Sequence, residues 1–166
     1  PDLSVLSNPM LIVVAFIYIF FLGGPLEVEF GWRGYALDRV QARFNALISS
    51  IILGVMWGAW HLPLFFIPGE TIYYQKPIWG LMLSLILYAI LFTWLYNNTG
   101  GSILAAMLFH TTGNLSHFVF PTLATDLGSL YYLILLPIVV IVVLIIWGPR
   151  RMVREIKSEA AIQTTV

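Results

Sequence analysis

Long apolar runs dominate the chain, separated by short polar or Gly/Pro-rich breaks. Pro9 to Leu22 is apolar throughout and ends at Gly23-Gly24-Pro25. It falls short of the ~20 residues a straight span needs, so with Leu3–Leu6 it is expected to cross a membrane at a tilt. Pro25 suits the first position of a new helix, where its missing N–H has no partner to lose. Glu27 then falls in the first turn, where the helix dipole favours negative charge. This second helix is predicted to run to about Phe44. Ala46 to Phe66 and Pro77 to Tyr96 are further spans, the latter without a charged residue. Asn97-Asn98-Thr99-Gly100-Gly101 is a turn by composition. Ser102 to Phe120 is a third span, Pro121 to Ser129 a loop, and Leu130 to Trp147 a last span rich in Ile, Leu and Val. The pattern predicts an all-α polytopic transmembrane bundle of about five membrane helices plus a motif-bearing helix at 25–44. It forms one membrane-embedded domain, with a core at 9–147 and a tail at 148–166. The first residue is Pro1, and helices upstream of it are expected.

Composition fixes the class. The chain is 60% hydrophobic and 10% charged, with a mean hydropathy of +0.90, where a soluble domain carries about 25% charged residues. Eight Lys/Arg balance eight Asp/Glu, so charge gives no reason to expect nucleic acid; membrane lipid is the expected surroundings. The chain has no cysteine, which excludes disulfides, thiolate ligands and a cysteine nucleophile. Arg150, Arg151, Arg154 and Lys157 follow the last span and put the C-terminus in the cytoplasm. Counting back, the Asp38–Arg43 region and the Asn97–Gly101 turn are cytoplasmic, and the Glu70–Lys76 loop is outside. Tyr73 and Tyr74 in that loop fit a membrane–water interface.

Against this background the stretch Gly23–Arg33 stands out, because it holds Glu27, Glu29 and Arg33. A charge at the centre of a hydrophobic helix costs roughly 2.5–3.5 kcal/mol on insertion scales, so three in seven positions need partners or a purpose. Glu29 and Arg33 are four apart and can pair on one helix face. The polar residues able to join them lie on later apolar segments: His61 after Trp57 and Trp60, then His110, Asn114 and His117 on one helical stripe. Imidazole and carboxylate are the common ligands of catalytic zinc, and a carboxylate beside zinc-bound water can take its proton. No H-E-x-x-H is present, so such a site would be assembled across helices.

Glu29-Phe30-Gly31-Trp32-Arg33-Gly34, then Trp57-x-x-x-His61-Leu62-Pro63, then His110-x-x-x-Asn114 resemble the three motifs of the CPBP intramembrane proteases, bacterial relatives of the type II CAAX prenyl endopeptidase. The resemblance covers about Gly23 to His117. It implies an all-helical protease of the bacterial plasma membrane that hydrolyses a peptide bond in prenylated CAAX-like or other membrane-associated peptides. Under it, a glutamate and His61 activate water. His110 and Asn114 stabilise the oxyanion or hold a divalent metal, zinc first, with His61 and Glu29 as further ligands. Arg33 keeps Glu29 ionised, and His117 lies outside the motif.

The family pattern has two adjacent glutamates, and Val28 stands at the first. Glu27 is about 100° round a helix from Val28 and about 200° from Glu29. It could substitute only if the first turn were unwound at Gly23-Gly24-Pro25. Val28 therefore motivates a second reading, a catalytically inactive membrane scaffold or binding protein on the same fold. A third is an ion or proton transporter, since buried Glu, Arg and His can form a relay.

Overall fold

Gly24 separates the first two helices. Its φ of +102° lies in the left-handed region that a Cβ disfavours, and Pro25 starts the next helix directly after it. The computed structural model describes residues 7–69, 73–120 and 125–154. Leu3–Leu6, Glu70 and the tail from residue 155 on lie outside the described residues. Among those described there is no strand, and the helices follow in order: α1 (Pro9–Leu22), α2 (Pro25–Gly31), π-helical turns (Trp32–Leu37), α3 (Asp38–Gln41), α4 (Ala46–His61) with a 3₁₀ turn (Leu62–Phe66), α5 (Ile78–Asn98), α6 (Ile103–Val119) and α7 (Asp126–Trp147).

The motif-bearing helix ends at Gln41, not Phe44. Asn45 stops it by capping α4, its side chain accepting the Ile48 N–H at 2.9 Å. The fourth segment loosens into 3₁₀ turns at Pro63, which cannot donate to an α-helical ladder. The last helix begins at Asp126, earlier than Leu130, because the Thr125 hydroxyl caps it by accepting the Gly128 N–H. Pro121–Ala124 of the expected loop lie outside the described residues.

Among the described residues, four apolar helical runs are long enough to cross a membrane: Pro9–Gln41, Ala46–Phe66, Ile78–Asn98 and Leu127–Trp147. The third expected span, α6, has 17 residues and packs along α1, α2 and α5. α1 has no buried residue, as suits a helix facing lipid. The core centres on α5, which packs against α7 through Ile90, Leu91, Leu136 and Val140 and against α4 where the two backbones approach closely. A Cβ on Gly54 would sit 2.5 Å from the Ile86 Cα, and one on Gly58 would sit 2.5 Å from the Met82 sulfur. Gly54 and Gly58 form a G-x-x-x-G stripe, the small-residue seam by which membrane helices gain van der Waals contact. That seam sets Trp57, between the two glycines, against Phe92 of α5.

Gly54→Leu is expected to separate α4 from α5 at a cost of about 3 kcal/mol, the upper end of the overpacking range. Gly80→Ala has open space for its methyl and should be neutral or stabilising. Thermal melting of the two variants in detergent checks the difference, and equal melting temperatures would remove the close seam.

Candidate active site

α2 carries Glu29 into the bundle, where its side chain has no exposed surface. An ionised carboxylate there needs full compensation. Arg33, one turn on and 2% exposed, supplies it: Nη1 donates to Glu29 Oε1 at 3.1 Å and lies 2.9 Å from Oε2. Oε2 itself has no hydrogen bond of good geometry. Arg33 sits in the π-helical turns, a distortion that recurs at functional sites. Its guanidinium carbon lies 3.7 Å from the Phe92 ring centroid and 5.1 Å from that of Trp57, so the cation is held by two aromatic faces as well as by the carboxylate.

α6 brings His110 to the same carboxylate across 81 residues of sequence. His110 Nδ1 donates to Glu29 Oε1 at 2.8 Å, and in the neutral imidazole this bond leaves the lone pair on Nε2. α4 supplies His61, half-buried, whose Nδ1 donates to its own Trp57 carbonyl at 2.8 Å. That bond likewise leaves Nε2 with the lone pair. The Trp57 indole joins the two imidazoles: its centroid lies 6.1 Å from that of His61 and 5.4 Å from that of His110, both edge-on.

Glu29, Arg33 and His110 are thus in direct contact, and His61 joins them through Trp57. Asn114 lies one turn beyond His110 on α6, half-buried; no hydrogen bond from it to a described residue is formed. His117 meets the Tyr132 ring of α7 edge-on, with centroids 5.3 Å apart. Glu27 is exposed, and the first turn of α2 is wound, with Glu27 and Val28 donating to the Gly24 carbonyl at 3.0 and 2.9 Å. Glu27 therefore does not turn inward to stand in for a glutamate at Val28.

Three contributors were not legible as site residues. Trp57 opens the second motif without a role of its own there, and its indole lies against both imidazoles. Phe92, on the span without a charged residue, is 1% exposed and covers Arg33 and His110. Tyr73 packs against His61 at 5.9 Å. The G-x-x-x-G that brackets Trp57 was the signal for the first; one Phe among eleven gave none for the second.

Catalytic zinc takes three protein ligands and keeps a position for water. Among the described residues no three His, Cys, Asp or Glu come together in a metal-holding group. Two imidazole Nε2 atoms are available, but the nearest carboxylate, Glu29, is already neutralised by Arg33. Among the described residues, as they are arranged, the set does not make a three-ligand zinc centre.

Residues 9–116 match the family described as type II CAAX prenyl endopeptidase Rce1-like. The chain belongs to this family. It is an integral membrane protein, as the family and the apolar helices agree. The match takes in α1 to α6, every helix that touches Glu29, and stops short of α7. A relative named CAAX prenyl protease 2, from Methanococcus maripaludis, is 34% identical over 108 residues, which is 62% of this chain and 40% of the relative. The chain thus spans well under half the length of that relative. No solved structure matches the chain.

The buried pair yields a stability prediction. Arg33→Met leaves Glu29 buried and uncompensated, which costs about 3–5 kcal/mol. Glu29→Gln/Arg33→Met together should recover most of that loss. Denaturant unfolding in micelles of the wild type, the single and the double variant measures it; a double variant as unstable as the single would show that the charge is not the cause.

Proposed function

We propose that this chain carries the active site of an intramembrane endopeptidase, with the Glu29–His110 pair as its base. The supporting observation is the 2.8 Å hydrogen bond from His110 Nδ1 to a carboxylate with no exposed surface. Glu29 and Arg33 cancel in charge, so a neutral His110 keeps the buried cluster neutral. Its Nε2 lone pair then accepts a proton, and the imidazolium that forms is stabilised by Glu29. This is the logic of a carboxylate-backed histidine in a catalytic triad. It needs no carboxylate at position 28.

The reaction uses one water. Its oxygen bonds to the scissile carbonyl carbon as its proton moves to His110 Nε2. The C–N bond then breaks, and the proton passes from His110 to the leaving amine. His61, fixed by the Trp57 carbonyl, accepts the second hydrogen bond of the water through Nε2 and orients it. Asn114, with both amide N–H groups uncommitted to described residues, donates to the developing oxyanion. The substrate class follows the relative's name: peptides ending in a prenylated cysteine and three further residues, whose lipid enters from the bilayer.

Cleavage of such a peptide in proteoliposomes tests this. His110→Ala and Glu29→Gln should each lose at least about 100-fold in kcat, the lower range for a general base. Val28→Glu should change the rate by less than tenfold, because a base is already supplied. A gain of 100-fold or more in that variant would mean that the wild type lacks a base and is a silenced scaffold.

Chelation gives a separate prediction. Activity should survive prolonged EDTA treatment within about twofold, far below the effect of losing a base. Loss of activity recovered by added zinc would restore the zinc centre with His61 and His110 as ligands.

A further inference from the structure

The arginines after the last span do more than set topology. The carbonyls of four successive residues are each engaged by the body of the protein. Pro149 and Arg150 accept the Leu47 and Ala46 N–H groups at 3.1 and 2.9 Å, so the tail caps the free donors at the start of α4. Arg151 accepts from Asn97 Nδ2 at 2.9 Å, and Met152 from Asn98 Nδ2 at 2.6 Å. Asn97 is itself locked in a reciprocal amide pair with Gln41. The Met152 side chain has no exposed surface and packs among Ala46, Ile90 and Leu91. The backbone is therefore pinned across the ends of α3, α4 and α5.

With carbonyls and Met152 turned inward, Arg150, Arg151 and Arg154 stay exposed and line a cleft of about 460 Å³. None of the three has an ion pair with a described residue. The cleft reaches Ile146 on α7, and Ile145 and Ile146 are exposed apolar neighbours, 76% and 48% accessible. Orientation by positive charge requires only that arginines be present near the membrane. It does not account for four consecutive anchored carbonyls that hold three guanidiniums, none ion-paired with a described residue, around one cleft beside an apolar helix.

We propose that this cleft is a binding site for the phosphate of an anionic phospholipid, with the acyl chains lying along α7. Guanidinium forks match phosphate oxygens, and the pinned backbone leaves only side-chain rotamers to be ordered at binding. The adjoining apolar face of α7 selects a lipid over free phosphate. This inference is independent of the proteolytic reading.

The test is native mass spectrometry of the detergent-purified chain titrated with phosphatidylglycerol, phosphatidylcholine or inorganic phosphate. Retention of phosphatidylglycerol over phosphatidylcholine is expected. Arg150→Gln/Arg151→Gln/Arg154→Gln should weaken it about 100-fold, at roughly fivefold for each arginine near an anionic group. Arg39→Gln/Arg43→Gln removes charge at the same end but outside the cleft and should cost less than fivefold by the same measure. Asn97→Ala keeps every charge but frees the Arg151 carbonyl, and should weaken binding measurably with the fold intact by circular dichroism. Equal losses in the two arginine variants, or no effect of Asn97→Ala in folded protein, would leave generic surface charge and overturn the site. Inorganic phosphate binding as tightly as the lipid would overturn the lipid assignment.

Discussion

A carboxylate without exposed surface must be neutralised where it stands, and most of this bundle is arranged around doing so for Glu29. Its charge is met by Arg33 one turn along the same helix and by a hydrogen bond from His110 of α6. The cation in turn lies on Phe92 of α5 and near Trp57 of α4. One buried charge thus draws four helices to one point. In an apolar bundle no hydrophobic force distinguishes one helix face from another, so a polar contact of this kind also fixes rotation and register.

Close packing makes that contact possible. Gly54 and Gly58 let α4 approach α5 until backbone meets side chain, and the residue between them, Trp57, becomes the wall of the site. The same indole that covers Arg33 touches both imidazoles, while its carbonyl fixes the tautomer of His61. Steric and chemical roles are therefore not separable at this residue. The result is two histidines, each held through Nδ1, one by a backbone carbonyl and one by the buried carboxylate.

The helices were largely legible. Apolar runs bounded by Gly24-Pro25, Asn45, Pro77 and Ser102 become helices within a few residues of where their patterns begin and end, because caps and proline act locally. The Glu29–Arg33 pair was legible too, since a four-residue spacing on a helix leaves little choice. Val28 was visible as a departure from the family pattern. What it does to the chemistry was not visible, because that depends on whether Glu27 turns inward, and the wound first turn keeps it exposed.

By itself the sequence determined the membrane class, the helical segments, the candidate residues and the family. Each follows from composition, period and motif spacing, which are properties of neighbours along the chain. Only the tertiary structure decided which candidates meet. It paired His110 with Glu29, sent His117 toward Tyr132 of α7, recruited Phe92, and pinned the arginine segment across the ends of three helices. Those outcomes depend on how far one helix can approach and rotate against the next, and side-chain volumes on both partners set that limit together.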